Sequence, residues 1–267
     1  LPAAMVARAH ALGMTGIGIA DRNTVAGVVR AHMGWRDLEG MASGFRLVVG
    51  ARLVFADGTP DIVAYPVDRA GWGRLTRLLT LGNRRAEKGG CELHLADLLD
   101  HARGLALIAM DGEADLLHAL RDAAAHLWLA ATMPRAGRDG RALARRMALA
   151  ATARVPLIAS NDALYATPDC RPLHDVMTCI REGQAIQSAG RILAANAERH
   201  LKPPAEMARL FATCPEAIRA TQDLRAAIAF TLDDLRYEYP HEPVPPGHTP
   251  QGWLEHLVEQ GGRARFP

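Results

Sequence analysis

The sequence predicts an α/β fold of the barrel type, and two observations lead to this prediction. First, strand-like and helix-like segments alternate, roughly one pair in every 20 to 30 residues, through most of the first 170 or so positions. Second, two short apolar segments, residues 16–20 and 155–160, lead into polar residues that include Asp21 and Asp162. Because β/α folds build their sites at the carboxyl ends of the strands, both aspartates are candidate site residues.

The first elements are predicted from apolar spacing. Residues 2–12 place their apolar side chains on one helical face, and Gly13 is a natural end for that helix. Residues 16–20 are small and β-branched, which is typical of a buried parallel strand. Asp21 follows and has two interpretations, a site carboxylate or a turn or N-cap residue of the next helix. That helix is predicted from helical spacing of Val25, Val28, Val29 and Met33.

The next segment predicts a pair of strands and a helix. Residues 45–55 and 61–65 are apolar runs on either side of Asp57-Gly58, which favours an antiparallel hairpin. Residues 69–81 carry a helical stripe of Trp and Leu side chains. A Gly-flanked loop with three basic residues is then expected, and it is either solvated or in contact with phosphate. Its basic residues are Arg84, Arg85 and Lys88.

The alternation continues and then stops. Helices are predicted over residues 95–102, 114–125 and 141–154, and strands over residues 105–109, 127–131 and 155–160. After Pro172 the sequence predicts helices with no strand between them, over residues 173–180, 204–211 and 215–230. Five prolines between Tyr239 and Pro250 predict an extended linker.

Composition and motifs exclude several classes of function. The net charge of +2 does not by itself indicate a nucleic-acid partner, and no apolar run is long enough to cross a membrane. The four cysteines have no paired spacing, which favours reduced thiols in a cytosolic protein. Phosphate-binding Gly-rich loops, Gly-x-Ser-x-Gly elbows, His-Glu-x-x-His helices and His-x-His pairs are all missing from the sequence. Because the chain opens on Leu1 without a Met and enters a helix at once, we expect a fragment of a longer protein. The N-terminus has no signal-peptide pattern, and we expect a cytoplasmic location.

Several segments resemble the polymerase-and-histidinol-phosphatase (PHP) domain of bacterial C-family DNA polymerases. Residues 12–27, residues 48–50 and the string Leu157-Ile158-Ala159-Ser160-Asn161-Asp162-Ala163-Leu164-Tyr165 carry this likeness. Other strings are similar to the error-prone branch of that family, and together they run over nearly the whole chain. They are Asp68-Arg69-Ala70-Gly71-Trp72, Arg84-Arg85-Ala86-Glu87-Lys88-Gly89, Asp175-Val176-Met177-Thr178-Cys179-Ile180-Arg181-Glu182, Glu198-Arg199-His200-Leu201-Lys202 and Leu235-Arg236-Tyr237-Glu238-Tyr239-Pro240.

The resemblance implies a distorted (β/α)₇ barrel of PHP type that lacks its first strand here, followed by helices leading to a polymerase palm. In active members of the family, His, Asp, Glu and Cys side chains hold up to three metal ions for phosphoester hydrolysis. Asp21 and Asp162 match two of these ligands, whereas the family's His-x-His would lie before Leu1. Other ligand positions are replaced: Arg22 stands for a His, Arg52 for a Glu, Asp111 for a frequent Cys and Leu164 for a His.

These replacements predict a dismantled metal site. Two carboxylates cannot hold a metal cluster, and two guanidinium groups in the same mouth would repel cations. We therefore expect Arg22 and Arg52 to form ion pairs with Asp21 and Asp162, and we expect no cofactor in this part of the protein.

By the same resemblance, residues 1–185 form the barrel-like domain, residues 186–240 a helical extension and palm entry, and residues 241–267 a Pro-rich linker and helix start. The parent would be an error-prone, translesion DNA polymerase that uses Mg²⁺ at palm carboxylates beyond Pro267. For the parent, the resemblance implies DNA as a partner, together with a sliding clamp and translesion accessory proteins. It implies no membrane partner. Within the fragment the role would be structural, with basic side chains such as Arg84, Arg85 and Lys88 guiding the template.

Two alternatives stay open from the sequence. One is a metal-dependent phosphoesterase of the same superfamily, including a pyrophosphatase or a 3'–5' exonuclease, which a phosphatase assay with added manganese would reveal. The other is an interaction scaffold without polymerase activity, which a longer reading frame with palm carboxylates would exclude.

Overall fold

The computed structural model describes residues 1–38, 44–235 and 243–266, and the fold is built around one sheet. The chain divides into two compact units, Leu1–Asp234 and Leu235–Pro267. The strands are β1 (Gly16–Arg22), β2 (Arg46–Leu53), β3 (Ile62–Pro66), β4 (Leu105–Ala109), β5 (His126–Ala131) and β6 (Leu157–Ala159), and they lie in that order. The α/β prediction is confirmed, because the described residues form one six-stranded sheet together with helices.

The directions of the strands determine which strand ends, and therefore which loops, lie at the same edge of the sheet. β1 pairs with β2 in parallel, as do β4 with β5 and β5 with β6, whereas β3 runs antiparallel to both β2 and β4. The predicted parallel strand and the predicted hairpin are therefore both confirmed. The carboxyl ends of five strands and the amino end of β3 consequently lie at one edge of the sheet, where sites are commonly built.

Most of the described helices belong to unit 1, as the sheet does. In unit 1 they are α1 (Pro2–Ala11), α2 (Val28–Arg36), α3 (Arg69–Arg85), α4 (Leu95–His101), α5 (Ala114–Ala123), α6 (Asp139–Ala153), α7 (Arg171–Glu182), α8 (Pro204–Leu210) and α9 (Pro215–Ala227). In unit 2, α10 (Pro250–Arg265) begins at the Thr249 cap, whose Oγ1 accepts from the Gly252 N–H. Residues 239–242 of the predicted linker, and the string from Arg236 to Pro240, lie outside the described residues. None of the helices in the described residues is both long enough and apolar enough to cross a bilayer.

The core has two main layers because strand side chains alternate. On β4, Leu105 and Leu107 pack with buried leucines of α3 to α6. The next residue, Ile108, faces the other side, where it joins a cluster with Trp128 and Phe230. Burial on both faces explains why the strands read as continuous apolar runs rather than as alternating patterns.

The boundaries of two helices differ from the prediction. α3 extends to Arg85, so Arg84 and Arg85 are helical instead of lying in a loop. Arg85 donates twice to Asp97, at 2.5 and 2.9 Å, and basic residues are favoured in the last turn of a helix. α9 ends at Ala227 rather than near residue 230, because the N–H groups of Ala229 and Phe230 donate to the backbone oxygen of Val67 instead of continuing the helix.

Candidate functional site at the carboxyl edge of the sheet

The polar groups at this edge are organised around Arg52, near the end of β2. Its Nε lies 2.6 Å from Asp61 Oδ2, and its Nη1 lies 2.7 Å from Asp162 Oδ1. All three side chains are about one quarter to one third exposed, with values of 25%, 31% and 25%. Burial disfavours the charged guanidinium, but Asp162 and Asp61 outweigh it and raise the pKa of Arg52 above its ordinary value.

A second guanidinium completes this arrangement. Arg199 Nη2 forms an ion pair with Asp162 Oδ2, and its Nε donates to the backbone oxygen of Asp162 at 2.9 Å. Asp162 has a left-handed φ of 44° and is fixed by a hydrogen bond from its N–H to Ser160 Oγ at 2.9 Å. The four side chains form an alternating chain of charges, Asp61–Arg52–Asp162–Arg199, which we call the charge chain.

Beside the charge chain lies a buried tyrosine. Tyr65 is on β3, is buried, and belongs to the same hydrophobic cluster as Trp128. Burial, together with the negative charge of Asp162, raises the pKa of its hydroxyl above the ordinary value. This tyrosine therefore stays neutral and presents no anionic ligand to a cation.

Residues 196–202, which we call the strap, are attached to the end of β6. Asn161 Nδ2 donates to the backbone oxygens of Glu198, at 2.9 Å, and of His200. Further backbone hydrogen bonds run from Leu164 N to Arg199 O at 2.8 Å and from Leu201 N to Tyr165 O at 3.2 Å. These contacts hold the Arg199 side chain over Asp162.

A buried lysine holds the strap internally. Lys202 is fully buried, and its Nζ lies 2.6 Å from the backbone oxygen of Glu198 and 2.9 Å from Glu198 Oε2. Arg135 Nη1 lies 3.1 Å from the same carboxylate. Burial alone would raise the pKa of Glu198, but Lys202 and Arg135 outweigh it and hold that pKa below its ordinary value.

Asp21 and Arg22 do not pair, contrary to expectation. Successive strand side chains point to opposite faces, so neighbours in β1 cannot meet. Asp21 Oδ2 instead accepts from the Gly27 N–H, at the N-cap of α2, at 2.7 Å. Arg22 is exposed and has no ion pair with any residue that the structure describes. The N-cap residue of α2 is Gly27 itself, so Asp21 holds the turn before that helix rather than serving as its N-cap.

The side chains at the other replaced positions take no part in the charge chain. Asp111 is 72% exposed and lies 3.4 Å from Arg146 Nη2. Leu164 is 37% exposed and contacts the strap through its backbone N–H. Lys88 is exposed, while Arg84 and Arg85 line an open groove of about 610 Å³ that also includes Arg77 and His101.

The residues present do not fit a metal cluster. Within the described parts of the chain, no three His, Cys, Asp or Glu side chains come together in a way that could hold a metal ion. The Arg52 guanidinium instead lies where a cation would have to bind to Asp61 and Asp162. The charge of both carboxylates is already compensated by arginine.

Sequence reasoning missed Asp61, Asn161, Glu198, Arg199 and Lys202. The contact of Asp61 could have been predicted, because the hairpin pairs Arg52 with Val63. Asp61 lies two residues before Val63, so its side chain is on the same face of the sheet and diagonal to Arg52. For the strap residues the resemblance gave a motif, yet nothing in the sequence placed that motif against β6.

The curated proteins that the chain resembles are error-prone DNA polymerases. No protein-family model matches the chain. It is 53% identical over 273 residues to an error-prone DNA polymerase of Brucella abortus, a match covering 99% of this chain and 25% of that protein. For error-prone DNA polymerases of Rhodopseudomonas palustris and Caulobacter vibrioides, the identities are 51% over 276 residues and 48% over 266 residues. These matches cover 100% and 97% of the chain but 25% and 24% of the relatives, so the chain spans about a quarter of the length of the curated relatives it matches.

A solved structure also resembles the chain more distantly. It is a protein from Bifidobacterium adolescentis assigned as a metal-dependent phosphoesterase, with a TM-score of 0.43 and 13% identity. The match covers 60% of this chain and 81% of that one.

Proposed function

This chain is homologous to about a quarter of the length of error-prone DNA polymerases, and from that premise we propose that it is a non-catalytic, barrel-type region of such a polymerase. In this role it supplies no reacting group, and its surface supports the neighbouring parts of the parent enzyme. The observation that carries the proposal is the position of Arg52 between Asp61 and Asp162.

The charge chain argues against a hydrolase of the PHP superfamily. A phosphoesterase, pyrophosphatase or 3'–5' exonuclease of that kind needs free carboxylates that bind cations and activate a water. Asp162 is shared by two guanidinium groups, and Asp61 is paired with one. Binding a divalent ion would require breaking these pairs and placing the ion beside positive charges.

The supporting role is favoured by the surface of α7. Leu173, Val176, Met177 and Ile180 recur at helical spacing and are between 45% and 75% exposed. Large apolar patches on soluble proteins usually mark a contact surface. We infer that the remaining three quarters of the parent polymerase supply the cover for this face.

For the parent, we propose DNA as substrate and partner, Mg²⁺ at palm carboxylates outside this chain, and a role in translesion synthesis during repair and replication of damaged DNA in the cytoplasm. A sliding clamp and translesion accessory proteins are the further partners that we propose.

Within the chain we propose a barrel-like domain over residues 1–185, a helical palm entry over 186–240, and a linker and helix start over 241–267. Arg84 and Lys88 are candidate DNA contacts, whereas Arg85 is already bound to Asp97.

The test combines calorimetry with an assay of hydrolysis. Titration of the chain with Mn²⁺ or Zn²⁺ is expected to give no saturable heat, and bis(p-nitrophenyl) phosphate is expected to stay intact. Micromolar binding accompanied by hydrolysis would replace our proposal with a phosphoesterase. The variants Arg22→Glu and Arg52→Glu serve as a matched pair in this titration. Each adds a carboxylate, but only Arg52→Glu places it between Asp61 and Asp162.

A further inference from the structure

Arginine is concentrated in and around α6. Six of the 31 basic residues of the chain lie in residues 135–154, where Asp139 is the sole acidic residue, although the chain as a whole carries only +2. Such a local excess of one charge sign is the footprint of a surface that binds a polyanion.

Two of these arginines are already engaged. Arg135 lies 3.1 Å from Glu198 and 2.8 Å from Glu206, and Arg146 donates to the backbone oxygen of Ala130 at 3.0 Å. Asp139, for its part, accepts from the Ala136 N–H at 3.1 Å. None of these contacts involves Arg138, Arg141 or Arg145.

Three arginines remain available on one side of the helix. Arg138, Arg141 and Arg145 are exposed and have no ion pair with any residue in the described ranges. Arg141 and Arg145 are four residues apart, which places them on one face, roughly 6 Å apart along the helix axis, and Arg138 is the N-cap residue of the same helix. The buried residues Leu143 and Ala150 point to the sheet from a different face.

The surface between these arginines is open. Ala144 and Ala148 are exposed on the same side of α6, and their short side chains do not shield the guanidinium groups. A polyanion can therefore approach along the helix without displacing a bulky side chain.

We propose that Arg138, Arg141 and Arg145 form a surface that binds the phosphodiester backbone of DNA. The choice of DNA rests on the proposed function, since the relatives are DNA polymerases. Guanidinium groups bind phosphate through paired N–H donors, and such contacts are independent of base sequence. The surface differs from the α3 end, where Arg85 is occupied by Asp97.

Binding of a fluorescein-labelled duplex oligonucleotide to the 267-residue chain, followed by anisotropy over a range of salt concentrations, tests the proposal. The triple variant Arg138→Gln/Arg141→Gln/Arg145→Gln is expected to lose at least tenfold in affinity. The slope of log affinity against log salt should fall by about 2 to 3, because each phosphate contact contributes about 0.9. The single variant Arg141→Gln should give an intermediate loss, and thermal melting confirms that each variant is folded.

The matched control removes the same charge from scattered exposed positions. Arg30→Gln/Arg103→Gln/Arg191→Gln is expected to stay within threefold of the unsubstituted chain, because these arginines lie on separate elements. Three results would overturn the proposal: no binding of DNA by the unsubstituted chain, an equal loss in the control, or displacement of DNA by polyglutamate at equal charge concentration, which would indicate an acidic protein partner. None of these depends on the metal titration that tests the proposed function.

Discussion

Arg52 and Asp162 are 110 residues apart in the chain, yet Arg52 Nη1 donates to Asp162 Oδ1 at 2.7 Å. Arg52 is on β2 and Asp162 follows β6, four places along the strand order. In a flat sheet, strands that far apart would be separated by roughly 19 Å, since neighbours are about 4.8 Å apart. A direct contact therefore requires strong curvature of the sheet, as in a barrel wall. The ion pair links β2 to the segment that follows β6.

Removing the Arg52 side chain should destabilise the fold. Arg52→Ala leaves Asp61 and Asp162 partly buried without their shared donor, which should lower the free energy of unfolding by about 1–3 kcal/mol. Urea denaturation measures the loss as a lower midpoint with an unchanged slope. Arg22→Ala is the control, because Arg22 is exposed, and its effect should stay below about 0.5 kcal/mol. Equal effects of the two substitutions would show that the charge chain contributes nothing to stability.

The sequence predicted the elements well because their signals are local. Periodicity gave the strands and helices to within a few residues, and the Asp57-Gly58 turn gave the β2–β3 hairpin. The resemblance added Arg52 and Asp162 as members of one mouth. The expected pairing of Arg22 with Asp21 failed because neighbouring strand residues face opposite sides of the sheet. The contact of Arg199 was beyond prediction, since Arg199 is 37 positions from Asp162 and its location depends on the path of the chain between them.

Glu198 should make stability depend on acid pH. Its pKa is held below the ordinary value of 4.5, so it binds fewer protons in the folded state than in the unfolded state. The stabilisation is present in full above about pH 4.5 and is lost as the pH falls through the lowered value of the folded state. Glu198→Gln should therefore be less stable than the unsubstituted chain at pH 7, and the difference should shrink below about pH 4.5. Urea midpoints at a series of pH values provide the measurement, and a difference that stays constant with pH would contradict the assignment.

Gly27 should be sensitive to substitution because Asp21 approaches it closely. A Cβ at position 27 would overlap Asp21 Oδ2, so Gly27→Ala must displace the carboxylate that accepts from the Gly27 N–H. We expect a loss of about 1–3 kcal/mol in the free energy of unfolding. Gly73→Ala is the matched control, since its Cβ meets no atom within 4 Å and α3 should gain up to about 1 kcal/mol from alanine. Opposite signs for the two glycines are the expected result, and a neutral Gly27→Ala would mean that Asp21 has room elsewhere.

The exposed face of α7 should matter more for association than for folding. Leu173→Ser/Ile180→Ser changes side chains that are 63% and 75% exposed, so the unfolding midpoint of the isolated chain should stay nearly unchanged. In the parent polymerase the same substitutions should lower the melting temperature, because they weaken the contact that we propose between α7 and the rest of the enzyme. Buried Leu75 and Leu78 on α3 supply the contrast, since serine there should destabilise the isolated chain as well. An unchanged melting temperature of the parent would remove α7 from the supporting surface, because a covered apolar face cannot lose two large side chains without effect.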